Sequence, residues 1–122
     1  MKLKKIITPL TVCKIDNVQD INFSGKFVFV GKTETEISLV CETEYTPINT
    51  IEREDGWLGF GIVGQLDFSL IGIIAKISDI LAKQNIGIFV ISTYDTDYVL
   101  VKSQNYDKAL KALETAGYQI ID

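Results

Sequence analysis

The sequence predicts an α+β fold in which two short helices cover one face of an antiparallel sheet. Two observations predict it. Apolar residues recur at helical spacing in two segments, residues 70–81 and 106–116. Around them lie short runs rich in β-branched and aromatic residues, in the order strand, helix, strand, strand, helix, strand.

The first half of the chain reads as mostly strands. Residues 6–15 contain one, and 27–30 and 37–41 are two more. Residues 16–26 are too few and too polar for more than a turn of helix, and residues 45–56 read as the remnant of a helix. The second half is more regular. Residues 57–63 form an apolar run that includes Trp57, Phe60 and two glycines. The turn from Gly64 to Ser69 follows, in which Asp67 or Ser69 can cap a helix by offering a side-chain oxygen to the first-turn amides. The stripe Leu70, Ile73, Ile74, Ile77 and Leu81 defines the helix, with Lys76, Asp79 and Lys83 off it and Asn85 and Gly87 at its end. Residues 86–91 and 98–101 form a hairpin around the polar turn 92–97. Asn105 is placed to cap a second helix whose apolar face is Tyr106, Ala109, Leu110, Leu113 and Ala116, closed by Gly117. Residues 118–121 are a last strand. The order is the ferredoxin-like βαββαβ pattern. It divides the chain into a degenerate, β-rich half at 1–56 and a complete βαββαβ unit at 57–122.

A shift of 61 positions supports two related halves. It lays residues 33–40 (TETEISLV) on 94–101 (YDTDYVLV), and strand 27–30 on strand 88–91.

Composition narrows the function. The chain has 122 residues, 47% hydrophobic and 23% charged, enough for a real core. Its net charge of −4, with no basic run, disfavours nucleic acid as a partner. No stretch has the ~20 apolar residues of a membrane span, and the basic start at residues 1–5 lacks the apolar centre of a signal peptide, so a cytoplasmic protein with no membrane partner is expected. Cys13 and Cys41 lie in apolar segments and read as buried, reduced thiols. There is no histidine, which removes the usual general base and the commonest zinc ligand. Neither cysteine has an activating setting, no phosphate loop is present, and no cofactor or metal is indicated. The expectation is a protein that is not an enzyme.

Two segments have the chemistry of a binding site. The strand-to-helix junction holds Gly64, Asp67, Phe68, Ser69 and Leu70. A helix start presents free amides and the positive end of the helix dipole, which attract a carboxylate. Asp67 would complement it by holding an ammonium group, so an amino acid suits the pair. The same residues also read as ordinary caps and a turn, with Gly72 permitting close packing. The hairpin turn offers Ser92, Thr93 and Asp95, which read either as ligand contacts or as a solvated turn. Trp57 and Phe60 are expected in the core or a subunit interface.

The segments GQLDFSLIGI (64–73) and IFVISTYDTDYVLV (88–101) resemble the hallmark segments of the ACT-domain family, as found in small bacterial tandem ACT-domain proteins and in the eukaryotic cytosolic arginine sensors. The resemblance implies a regulatory module that binds an amino acid or a similar small metabolite. It implies Gly64, Asp67, Phe68, Ser69 and Leu70 as ligand contacts, with Ser92, Thr93 and Asp95 beside them. It also implies a homodimer, because the arginine sensors have two tandem units per chain and this chain has one. The alternative is a structural or interaction module that keeps the fold without a ligand.

Overall fold

The computed structural model describes residues 1–64 and 71–122. Their elements are β1 (Lys2–Ile15), β2 (Val28–Lys32), β3 (Ile37–Glu42), β4 (Glu52–Ile62), α1 (Ile73–Lys83), β5 (Phe89–Ser92), β6 (Asp97–Lys102), α2 (Tyr106–Thr115) and β7 (Gln119–Ile121). Single 3-10 turns lie at Val18–Asp20, Thr43–Tyr45 and Ser103–Asn105. The chain forms two compact units: Met1–Ile7 with Leu58–Asp122, and Thr8–Trp57.

In the first unit the strand order is β5-β6-β4-β1-β7. Leu58, Phe60 and Ile62 alternate along β4, and Val99 and Val101 along β6, so each set faces one side of the sheet. There they meet Ile77 and Leu81 of α1 and Tyr106, Ala109, Leu110 and Leu113 of α2, which the helical period brings to one stripe. The sequence of elements from β4 to β7 is the one expected, but β7 does not return beside β4. It pairs in parallel with the start of the chain (Lys2↔Gln119, Leu3↔Ile120, Lys4↔Ile121). On its other side that segment is tied to the end of β4, where the Val63 amide donates to the Lys2 carbonyl at 3.0 Å. The boundary expected at residue 56 therefore shifts: Met1–Ile7 belongs with the second half. Leu3, fully buried, completes that unit's core. The lysines around it hide the strand from a search for apolar runs.

The helix ends also differ from expectation. Helix α1 begins at Ile73, and its N-cap is Gly72 at φ +79°, with no side-chain cap bond. Asp67 and Ser69, the expected caps, lie outside the described residues. Gly72 adopts a left-handed backbone, and a Cβ on it would meet no atom of the described residues within 4 Å. Asn105 makes no capping bond either; the 3-10 turn Ser103–Asn105 leads straight into α2. Both helices end in the same doubly bonded reversal. The Ile86 amide reaches the Leu81 carbonyl and the Tyr118 amide the Leu113 carbonyl, each at 3.0 Å, around left-handed Asn85 and Gly117.

Strands β4 and β6 approach closely at Gly59. A Cβ there would fall 2.5 Å from Leu100 Cδ2 and 2.8 Å from the Val99 carbonyl oxygen. The Tyr106 hydroxyl of α2 donates to the Gly59 carbonyl at 2.7 Å. Burial pushes this phenol up to about 12.

In the second unit the order is β2-β3-β1-β4. Strands β1 and β3 pair antiparallel (Thr11↔Cys41, Cys13↔Leu39), and Cys13, Ile15, Leu39 and Cys41 form a small core with Ile21, Val28 and Ile37. Both thiols are free and buried. Burial pushes Cys13 up to about 11 and raises Cys41 as well, so both stay protonated at neutral pH. Thr11 is fully buried; its hydroxyl donates to Asp55 Oδ1 at 2.6 Å and takes a hydrogen bond from Thr43 Oγ1 at 2.9 Å. Residues 45–56 are not a helix remnant. The Ile51 amide donates to the Lys14 carbonyl at 2.7 Å, which lays this segment beside β1 and starts β4 at Glu52.

The two hairpins match at a shift of 60 positions, not 61. Phe29↔Val40 corresponds to Phe89↔Leu100, and Val30↔Leu39 to Val90↔Val99. Each turn is closed by the same bond, Thr33 N–H to the Glu36 carbonyl and Thr93 N–H to the Thr96 carbonyl. A 3-10 turn follows each hairpin, at Thr43–Tyr45 and Ser103–Asn105.

Two outcomes follow for urea unfolding. Gly59→Ala, which forces a methyl against backbone, loses about 1–3 kcal/mol. Tyr106→Phe loses about 1–3 kcal/mol at neutral pH by leaving the Gly59 carbonyl without its donor. The raised phenol stabilises the fold fully below its ordinary value of 10.0, and that part is lost as the pH climbs toward about 12. Tyr106→Phe removes this part of the alkaline decline.

Candidate functional site

Strand β4 delivers the chain to one end of the first unit, and the β5–β6 turn lies at that same end. The turn at residues 93–96 is built from hydroxyls. Thr93 Oγ1 donates to the Thr96 carbonyl at 2.9 Å and accepts from the Thr96 amide at 3.3 Å, reinforcing the backbone bond of 2.8 Å. Thr96 Oγ1 then donates to the Ile62 carbonyl at 2.8 Å. This bond ties the turn to the last residue of β4, two positions before Gly64. Just behind it, a Cβ on Gly61 would fall 2.8 Å from the Tyr98 ring.

Of the predicted site residues, Gly64 is exposed at φ +94°. Ser92 ends β5 opposite Asp97, and Ser92, Thr93 and Asp95 are all exposed. The structure brings these four to one end of the unit. Asp67, Phe68, Ser69 and Leu70 lie outside the described residues. Thr96 was missed by the sequence reading, because its hydroxyl serves the Ile62 carbonyl, a partner 34 residues away in the chain. Phe60 is fully buried in the core, and Trp57 is half-buried.

Helix geometry leaves the amides of Ile73, Ile74 and Ala75 without an intrahelical acceptor; the first i→i−4 bond runs from Lys76 to the Gly72 carbonyl at 3.0 Å. Gly72 has no side chain with which to satisfy them. A shallow cavity of about 340 Å³ borders this helix start, lined by Met1, Ile73, Lys76, Ala116, Gly117 and Tyr118. This first turn is thus a positive end of a helix dipole with a lysine beside it, an arrangement that favours a carboxylate over a cation. Among the described residues no group of three or more Cys, Asp or Glu is placed to hold a metal ion. No helix among them is long and apolar enough to cross a membrane.

A mixed sheet with two helices on one face defines the class, and comparison names it. The ACT domain family matches residues 52–115, and the chain belongs to that family. Among solved structures, the chain is similar to protein Atu0741 from Agobacterium tumefaciens, with 30% identity and a TM-score of 0.86 over 98% of this chain and 91% of that one. Protein VC0802 from Vibrio cholerae, of unknown function, shares the fold at 18% identity and a TM-score of 0.73, over 92% of this chain and 86% of that one. The regulatory subunit of aspartate kinase from Thermus thermophilus shares it at 11% identity and a TM-score of 0.69, over 96% and 97%. No curated protein matches.

The Thr96–Ile62 bond has a direct readout. Thr96→Val keeps the shape and removes the donor. It is expected to cost about 1 kcal/mol in denaturant melts and to speed hydrogen exchange at the Thr93 amide, while the equivalent amide at Thr33 keeps its rate.

Proposed function

We propose that this chain is a non-catalytic regulatory protein that binds an amino acid at the end of its first unit, where β4 gives way to α1. The ligand carboxylate takes the free amides of the first turn of α1. Asp67 holds the ammonium group, and Gly64, Phe68, Ser69 and Leu70 frame it. Ser92, Thr93 and Asp95 supply the opposite rim from the hairpin turn.

The observation that carries this reading is the capping position of α1. A helix whose N-cap is a glycine leaves its first-turn amides to be satisfied from elsewhere, and the tied-down hairpin turn stands at the same end. Membership of the ACT domain family supports a regulatory role. In this proposal the chain is a relative of the tandem ACT-domain proteins and arginine sensors, and a second copy closes the pocket in a homodimer.

The test is thermal unfolding in the presence of each of the twenty protein amino acids in turn. A ligand at about 100 times its dissociation constant adds about 2.7 kcal/mol to the stability of the bound state. One amino acid, or a chemically related few, is expected to raise the melting temperature, and Asp67→Ala to abolish the rise while leaving the unliganded melting point unchanged. No rise with any of the twenty overturns the amino-acid reading and leaves an interaction module without a ligand.

A further inference from the structure

The comparison of the two hairpins exposes a difference at their turns. At the place where Thr96 ties the second turn to Ile62, the first has Glu36, and the residue two before it is Glu34 in place of Tyr94. The first turn is held by its own hydroxyl, with Thr33 Oγ1 accepting from the Thr35 and Glu36 amides at 3.2 Å. Glu34 and Glu36 are both exposed, and Glu36 Oε1 takes a hydrogen bond from Ser38 Oγ at 2.7 Å. The result is a braced hairpin tip carrying two carboxylates.

The first unit has the complementary feature. The cleft between the end of α1 and the outer face of α2, about 360 Å³, is lined by Lys83, Lys108 and Lys111 over a half-buried floor of Ile80 and Ala112. This is a concentration of positive charge on a chain whose net charge is −4. Lys83 is engaged by Asp79 at 3.0 Å, and Lys108 donates to the Gln84 carbonyl at 3.1 Å, which holds its ammonium at the cleft. Among the described residues neither Lys108 nor Lys111 has an ion-pair partner.

We infer that the acidic tip at residues 33–36 of one copy docks into the lysine cleft of a second copy, with Glu34 and Glu36 facing Lys108 and Lys111. The contact is electrostatic and rests on exposed pairs, so it is weak, salt-sensitive and concentration-dependent. It uses neither Asp67 nor the hairpin turn at 93–96, so it is measured without any amino acid, and loss of its charge dependence leaves the amino-acid melting test untouched.

The test is sedimentation equilibrium at low and high ionic strength on four samples: the native chain, Glu34→Lys with Glu36→Lys, Lys108→Glu with Lys111→Glu, and an equimolar mixture of the two charge-reversed variants. Far-UV circular dichroism confirms that each is folded. The native chain is expected to self-associate at low ionic strength and to dissociate as salt is added. Each reversed variant alone weakens the association about tenfold or more, and the mixture restores it by pairing opposite charges. A native chain whose association at low ionic strength does not weaken as salt is added overturns the inference, as does salt-sensitive association that survives both reversals or a mixture that fails to restore it. A glutamate-rich decapeptide run in parallel identifies the other occupant. If Lys108→Glu with Lys111→Glu abolishes peptide binding while the native chain remains monomeric, the cleft takes a foreign acidic segment and not a second copy.

Discussion

The close approach of β4 and β6 at Gly59 sets what the first unit can build. Without a side chain on Gly59, Leu100 and the Val99 carbonyl come within contact of the strand backbone. The carbonyl of the same residue takes the Tyr106 hydroxyl, so one glycine fixes both the sheet spacing and the seat of α2. Two residues on, Gly61 receives the face of Tyr98 in the same manner. Only with β6 held at this distance and register can Thr96, at the head of that strand, reach the Ile62 carbonyl. The geometry of the candidate site is thus decided in the sheet, and the turn inherits it.

The second unit solves the same packing problem with fewer means. Its hairpin repeats the register and the 3-10 exit of the other at a spacing of 60 residues. Yet where α2 follows Ser103–Asn105, the chain after Thr43–Tyr45 turns into β4. Its core is correspondingly small, and polar groups take part in holding it. The buried Thr11 hydroxyl is satisfied by Asp55 and Thr43, and the nearly buried carboxylate of Glu42 accepts the Lys26 amide at 3.0 Å. Leaving any of these buried groups without its partner would cost more than the bond itself contributes.

The elements that announce themselves by period were legible in the sequence. The stripe Ile73, Ile77, Leu81 and the face Tyr106, Ala109, Leu110, Leu113 mark two helices, and the branched runs mark the hairpins, because burial on one side imposes the spacing. What escaped depends on partners distant in the chain. Leu3 is a core residue between lysines, and nothing local says that Lys2–Lys4 will pair with β7. The acidic opening of β4, Glu52 to Asp55, has too little apolar alternation to look like a strand; it becomes one because β1 offers it a ladder. The repeat was visible but off by one position, since matching acidic residues is a weaker guide than matching turn bonds. At the candidate site, Thr93 and its neighbours were singled out by composition as a polar turn, whereas the bond of Thr96 needed the position of Ile62. The start of α1 was placed too early, because good capping types precede it in the sequence, while the left-handed backbone at Gly72 leaves no trace beyond the glycine itself.

In the proposed reading the glycine-capped start of α1 receives the carboxylate of an amino acid. Backbone amide NMR reads this directly. On titration of the ¹⁵N-labelled chain with a mixture of the twenty protein amino acids, the shifts should concentrate at Gly64, at the first-turn amides Ile73 to Ala75 and at residues 93–96. Uniformly unmoved resonances there, or shifts confined to the second unit, would contradict it.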